Sequence, residues 1–196
     1  MPRLLTVLAL SALPAWVSAL ELDEARHLLN RTGFGASPEE LSTLLPLTRE
    51  EAVQKLLDAS RKEPLTKPPD LPEGAPEKPS NEERREMALA LKGWWVREML
   101  ETDSPLTERM VLFWHNHFTS GLEKVKWAPL LWKQNTLFRA QALGSFKTLL
   151  HEASRDPAMV LYLDSQSNRK GKPNENFARE LLELFSMGQG NYTEQD

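Results

Sequence analysis

The chain has 196 residues, a formal net charge of −4 and no cysteine, and 40% of its residues are hydrophobic. The lack of cysteine excludes a scaffold that is held together by disulfides. The acidic balance argues against a general nucleic-acid-binding protein, which would carry a basic face.

Residues 1–19 have the pattern of a secretory signal peptide. Arg3 supplies the positive start, residues 4–17 form an apolar run, and small residues at Ser18 and Ala19 provide a cleavage site. The run is shorter than the roughly 20 residues that a bilayer-spanning helix needs. We therefore expect cleavage near Ala19 and export to the periplasm or the extracellular medium. An uncleaved anchor or a buried helix is the alternative, and no later segment predicts a stable transmembrane span.

The spacing of apolar residues after the leader predicts helices. Residues 21–31 form the first, and Gly33 and Gly35 end it. Ser37 and Thr48 each precede a glutamate by three positions, which is the capping-box pattern of a helix start. Further helices are predicted over residues 80–101, from residue 104 onward, and over residues 127–143, 146–153, 157–163 and 176–187.

We find no paired strands, so the sequence predicts an all-α, irregular multi-helix domain over residues 20–196. A proline-rich connection over residues 61–79 interrupts it, with six prolines among charged residues. Because such a segment has little apolar surface to bury, we expect it to be exposed and extended. A proline-rich docking ligand is the alternative. Thr193 and the acidic residues after it have the pattern of another helix start, so we expect the domain to be truncated at its C-terminus.

Residues 113–118 are the densest group of side chains suited to chemistry, because they include His115, Asn116 and His117. Neutral imidazoles are common ligands of divalent metals, so His115 and His117 are candidate metal ligands and candidate catalytic residues. At ~100° per helical residue, however, they point in nearly opposite directions. A shared ion requires the helix to end by Trp114. Otherwise His117 is a buried packing residue on the same face as Phe113, and His115 is exposed.

Residues 174–185 supply the second set of candidates. Glu175 and Glu180 could act as an acid–base pair or bind a metal, and Asn174 or Asn176 could cap the helix. Glu175 and Arg179 have the spacing of an i,i+4 ion pair. Six polar residues complete the candidate ligand-binding set: Asn116, Asn135, Arg139, Asn174, Asn176 and Arg179.

Arg139 interrupts an otherwise apolar helix. It could pair with Glu180, with a ligand carboxylate or within an internal polar network.

Four stretches of the sequence together resemble the DUF1800 family, a bacterial domain of unknown function. They are HLLNRTGFG (residues 27–35), LTERMVLFWHNHF (106–118), QNTLFR (134–139) and NENFARELLELF (174–185). The resemblance implies an exported protein that is usually longer than this chain. It also implies a gene near that of a second, sulfatase-like family, but no activity.

Two functions follow from these observations as hypotheses. The first is an extracytoplasmic binding or assembly module whose partner is an envelope protein or polymer, including the product of a neighbouring sulfatase-like gene. The alternative is a metal-assisted hydrolase acting on envelope or extracellular polymers, with a divalent metal as its cofactor. A surface-layer or secretion component is a third, weaker hypothesis.

Overall fold

The computed structural model describes residues 18–73, 79–172 and 174–193. Most of the predicted signal peptide, part of the proline-rich connection and the last three residues lie outside these ranges. Within them the chain forms ten α-helices and one short 3-10 helix, with no β-strand, so the predicted all-α fold is confirmed. No helix in the described ranges is long and apolar enough to cross a membrane.

The first three helices form a layer with a small core of its own. They are α1 (Leu22–Thr32), α2 (Pro38–Leu44) and α3 (Arg49–Asp58). Each begins with a capping box, and those at Ser37 and Thr48 match the sequence prediction. Their inward side chains meet in one hydrophobic cluster, which consists of Leu20, Ala25, Leu29, Leu44 and Ala52.

Helix α7 (Ala128–Ala140) organises the rest of the molecule. It packs against α4 (Asn81–Glu101), α5 (Pro105–His117), α6 (Leu122–Val125), α8 (Phe146–Arg155) and α9 (Pro157–Tyr162). One side of α7 adds Leu131 to a cluster with α4, α6 and α9, and another side adds Phe138 to a cluster with α5, α8 and α9. Two hydrophobic cores therefore share this one helix. The chain then continues through a 3-10 turn (Ser165–Ser167) to α10 (Asn176–Glu183).

Two predicted helices end earlier in the structure than the sequence indicates. Helix α7 ends at Ala140 rather than near residue 143, and α10 ends at Glu183 rather than near residue 187. In the second case Leu184 is 59% exposed, whereas Phe185 is buried in the core. The chain therefore leaves the helix to place Phe185 beside α5 (ring centroids of Phe118 and Phe185 5.6 Å apart).

The connection after α3 is not wholly exposed, contrary to the sequence prediction. Glu98, near the end of α4, is only 1% exposed, and its carboxylate accepts hydrogen bonds from the backbone N–H groups of Leu65 (2.8 Å) and Thr66 (2.7 Å). The Thr66 hydroxyl adds a third bond at 2.6 Å. Because a buried carboxylate needs donors, this segment folds back to supply them.

Helix α5 buries a different face from the one that the apolar pattern indicated. Its buried residues are Thr107, Glu108 and Val111, while Phe113 is 52% exposed. A threonine and a glutamate thus occupy the core-facing side. The reason is a polar partner on α7, described below, which an apolar stripe does not reveal.

Candidate functional site

The two histidines of α5 lie on different sides of the helix and have different neighbours. The helix runs through His117, so the condition for a shared metal ion, a helix that ends by Trp114, is not met. His115 packs edge-on against Trp95, with the ring centroids 5.1 Å apart. The Nε2 atom of His117 lies 3.0 Å from the carbonyl oxygen of Phe185, within hydrogen-bonding distance.

The predicted metal site is therefore not assembled by these residues. Among the residues that the structure describes, no three histidine, aspartate or glutamate side chains are placed to hold a metal ion together. The donor set expected from sequence is divided, since His115 and His117 line different cavities. Glu175 is exposed at the start of α10 and lines neither.

The first cavity, which we call the α5–α10 cleft, joins two of the sequence stretches singled out above. It has a volume of about 500 Å³ and brings His117 from α5 together with Asn176 and Glu180 from α10. Its polar lining is completed by Thr119, Lys124 and Tyr162. Side chains that are about 60 residues apart in sequence thus share one opening.

The polar groups around this cleft are partly held by neighbours. The Lys124 ammonium donates to Asp164 at 2.7 Å and lies 5.5 Å from the centre of the Tyr162 ring. Asn176 accepts a hydrogen bond from Arg179 (3.0 Å), and the Arg179 guanidinium lies 3.9 Å from the Glu180 carboxylate. The expected Glu175–Arg179 pair is replaced by these contacts.

Asn174 lies one position before the N-cap of α10, which is Glu175, so neither Asn174 nor Asn176 is the cap that the sequence predicted. Its side-chain oxygen accepts from the backbone N–H of Asn176 (3.0 Å), the first residue of α10. Its amide group donates to the carbonyl of Asp164 at 3.0 Å. Asn116, in contrast, is exposed at the end of α5.

A buried ion pair lies on the other side of α5. The Arg139 guanidinium, 1% exposed, donates from Nε and Nη2 to the two oxygens of Glu108 at 2.7 and 2.9 Å. Its Nη1 donates to Asn135 Oδ1 at 2.8 Å, and the Trp95 indole N–H donates to Glu108 at 3.2 Å. The expectation of an internal network is confirmed, but the partner is Glu108 rather than Glu180.

A second buried chain of hydrogen bonds runs beside the ion pair. The Ser120 hydroxyl donates to the Gln134 side-chain oxygen. The Gln134 amide group donates to Asp156 at 2.8 Å, and the Asp156 carboxylate also accepts from the Met159 N–H at 2.9 Å. Burial raises the pKa of Asp156, and the hydrogen bonds from Met159 and Gln134 oppose part of that rise. These bonds connect the loop between α5 and α6, helix α7 and the start of α9.

The second cavity, which we call the Trp95 cavity, opens between α4, α5, α6 and α7. Its volume is about 220 Å³, and its walls include Leu91, Trp95, Leu131, His115 and Asn135. Burial lowers the pKa of His115, so its imidazole is neutral at pH 7. Five of the candidate residues therefore divide between two sites: His115 and Asn135 line the Trp95 cavity, and the α5–α10 cleft contains His117, Asn176 and Glu180.

Sequence analysis missed Glu108, Trp95 and Lys124 as members of these sites. One signal for Glu108 was present in the sequence. An arginine inside an apolar helix, such as Arg139, needs a buried acidic partner. Glu108 is a candidate for that partner, because it shares a helical face with Val111, three positions later, and with His115, seven positions later. Lys124 gave no such signal, because its place depends on how α6 packs against α9.

The model of a known protein family matches residues 27–196, and it is described as a protein of unknown function, DUF1800. The chain belongs to the DUF1800 family. This membership confirms the resemblance stated above, and the matched range contains all four stretches on which the resemblance rested. Neither a curated protein nor a solved structure matches this DUF1800 chain.

Proposed function

We propose that the protein is an extracytoplasmic binding module that holds a polar segment of an envelope polymer or protein in the α5–α10 cleft. The observation that carries this proposal is the convergence of His117, Asn176 and Glu180, from two distant stretches, on one opening of about 500 Å³. Pockets with a few convergent polar groups are the usual place for ligand binding.

The charges at the cleft favour a polar partner over an apolar one. Lys124 is 42% exposed in its side chain and Glu180 is 23% exposed, so both a cation and a carboxylate face the opening. Tyr162 adds an aromatic surface beneath the Lys124 ammonium. A segment with hydrogen-bonding groups of both kinds would find partners here, whereas a purely apolar segment would leave these groups without water.

Binding is favoured over the alternative of metal-assisted hydrolysis. That alternative relied on His115, His117, Glu175, Asn176 and Glu180 converging in space. The two imidazoles instead line different cavities on opposite sides of α5, and Glu175 lines neither. In addition, the Nε2 atom of His117 is engaged by the Phe185 carbonyl. No other observation in the described residues favours a catalytic set.

Export is a separate part of the proposal, and residues 1–19 support it by their composition. Expression of the full chain in a bacterial host, followed by N-terminal sequencing of the periplasmic or secreted form, tests it. We expect a mature form that begins near Leu20. A cytoplasmic protein that keeps Met1 would contradict this part alone.

The binding proposal is tested by co-sedimentation with purified envelope polymer and by pull-down from envelope extract. We expect Glu180→Gln and Lys124→Met each to weaken binding by roughly 10- to 150-fold, since each removes a charge-assisted contact of roughly 1.5–3 kcal/mol. Glu39→Gln, an exposed glutamate of α2 remote from the cleft, is the matched control. Equal binding by Glu180→Gln and the control would contradict a role for the cleft.

A further inference from the structure

The Trp95 cavity has features of a second binding site, independent of the proposed function of the α5–α10 cleft. Most of its wall is apolar, formed by Leu91, Leu122, Leu131 and the ring of Trp95. Ser120, His115 and Asn135 are the buried or half-buried polar side chains of its lining. An apolar wall with a few placed polar groups is typical of small-molecule sites.

Asn135 offers a hydrogen-bond donor to this cavity. The side chain is 7% exposed, and its Oδ1 must face Arg139, because a guanidinium can donate but cannot accept. The Nδ2 group is therefore the polar atom left to face the cavity. Within the described residues it has no hydrogen-bond partner and is not one of the buried atoms that lack one, so it is open to the cavity, where the acceptor oxygen of a ligand can bond to it.

The same ion pair fixes both Asn135 and Trp95. Glu108 accepts from the Trp95 indole, and Arg139 donates to Asn135, so two opposite parts of the cavity wall are held by one buried contact. The indole N–H is thereby occupied, which leaves the ring itself to contact a ligand. The amide and the ring are thus preorganised, which lowers the ordering cost of binding.

Charge argues that the ligand is neutral. The buried charges next to the cavity, Glu108 and Arg139, neutralise each other. His115, held neutral by burial, supplies one donor and one acceptor. Lys92 and Glu123 are exposed at the mouth and have opposite signs. A charged ligand would lose its hydration without meeting an unpaired opposite charge inside.

Size and polarity together select an aromatic ring. The volume of about 220 Å³ exceeds the ~150 Å³ of an engineered apolar cavity that binds benzene, so one six-membered ring with a short substituent fits. A sugar ring of this size would bring several hydroxyl groups against Leu91 and Leu131, where they would have no partners. An aromatic ring with one oxygen requires a single donor, which Asn135 provides.

We propose that the Trp95 cavity binds a small neutral aromatic molecule that carries one acceptor oxygen, with the oxygen at Asn135 Nδ2 and the ring against Trp95 and Leu131. The site is distinct from the α5–α10 cleft, which lies on the other side of α5. Failure of either proposal would leave the other intact, because the variants that test them share no residue.

Four probes test the proposal on the full chain by ligand-observed NMR and calorimetry. They are acetophenone, ethylbenzene as its analogue without the oxygen, benzoate as a charged analogue, and glucose. We expect acetophenone to bind roughly 2- to 13-fold more tightly than ethylbenzene, the range that one hydrogen bond supplies. Benzoate and glucose should bind at least about tenfold more weakly than acetophenone. Equal affinity for acetophenone and either ethylbenzene or benzoate would overturn the proposal, and so would preferential binding of glucose.

Two variants locate the binding. Leu131→Trp, on α7, fills the cavity and should abolish acetophenone binding, whereas Leu89→Trp, on the exposed face of α4 and outside the cavity lining, should leave it unchanged. Asn135→Asp keeps the oxygen that faces Arg139 but removes the donor, so the preference for acetophenone over ethylbenzene should disappear. If Asn135→Asp does not fold, Leu131→Trp and the probe series decide the question alone. Unchanged acetophenone binding in Leu131→Trp would refute the assignment of the site.

Discussion

Glu108 is the side chain on which the interior of this molecule depends most directly. Its two oxygens accept hydrogen bonds from Arg139 Nε and Nη2 and from the Trp95 indole, and Arg139 in turn holds Asn135. Both charged groups are almost fully buried. A buried pair contributes little net stability when intact, but removing one partner leaves the other as an unpaired charge.

We predict that Glu108→Leu or Arg139→Met alone lowers the free energy of unfolding by about 3–5 kcal/mol. The double variant should recover much of this loss, because no lone charge remains buried. Chemical denaturation of the three variants measures the coupling. Arg26→Met, which breaks the exposed pair of Arg26 with Asp23, should cost less than about 1 kcal/mol and serves as the control. A double variant as unstable as the sum of the two single ones would contradict this account.

His115 makes stability depend on pH in a predictable direction. Burial lowers the pKa of this imidazole in the folded state, so between that pKa and about 6.5 the unfolded chain binds more protons than the folded one. Stability is therefore complete above about pH 6.5 and falls as the pH drops towards the folded-state pKa. Denaturation at pH 7.5 and pH 5 should show a smaller difference for His115→Gln than for wild type. His151→Gln, which changes an exposed histidine of α8, should behave like wild type.

At the scale of elements, the end of α4 anchors the chain segment that follows α3. Glu98 accepts from Leu65 and Thr66, and Arg61 donates its backbone N–H to the Ser104 hydroxyl at 3.2 Å. The Arg61 guanidinium also pairs with Asp103. These contacts hold the start of the proline-rich connection against the α4–α5 corner.

We predict that Glu98→Gln releases this segment. Glutamine retains one acceptor oxygen but replaces the other with a donor, which then faces the backbone N–H of either Leu65 or Thr66 and cannot bond to it. Limited trypsin cleavage after Arg61 and Lys62 should speed up by at least about tenfold, corresponding to a loss of roughly 1.4 kcal/mol or more. Glu101→Gln, an exposed glutamate of the same helix, is the matched control. Equal cleavage rates for the two variants would show that Glu98 is not the anchor.

The helices themselves were largely predictable, because capping and apolar spacing act locally. The capping boxes at Ser37 and Thr48 follow from three-residue spacing alone, and the structure places helices at both positions. The burial of Glu98 could not be derived this way. It depends on a contact between residues more than 30 positions apart. Nothing in the local sequence around Leu65 indicates that the Glu98 carboxylate accepts its backbone N–H.

At the scale of the whole molecule, the hydrophobic residues divide into an N-terminal layer and a larger body built on α7. Leu29 belongs to the first, and Phe138 belongs to the second, where its ring stacks with Phe118 at 5.8 Å. Regions with separate cores can open separately, with different free energies.

We predict that Leu29→Ala, at a cost of about 2–5 kcal/mol, mainly accelerates amide hydrogen exchange in α1–α3. Phe138→Ala, at about 3–5 kcal/mol, should accelerate exchange throughout the larger body, because α7 contributes to both of its clusters. Mass-spectrometric hydrogen exchange on the two variants provides the comparison. Uniform acceleration by Leu29→Ala would show that the layer and the body unfold as one unit.

The candidate site was only partly predictable at this scale. The sequence identified His117, Asn176 and Glu180 by residue type, and the packing of α10 against the end of α5 brings them to one cleft. It also grouped His115 with them in the metal hypothesis, which required the helix to end by Trp114. The helix continues to His117, which places His115 and His117 on opposite sides.

Helix α7 also limits how sequences of this kind can diverge. Gln134 binds Asp156, Phe138 stacks on Phe118, and Arg139 pairs with Glu108, so neighbouring positions of one helix each have a separate partner elsewhere in the chain. Inserting one residue would rotate every later side chain by ~100° away from its partner. Lineages should therefore tolerate neither insertion nor deletion within Ala128–Ala140, and positions 108 and 139 should change only as a pair.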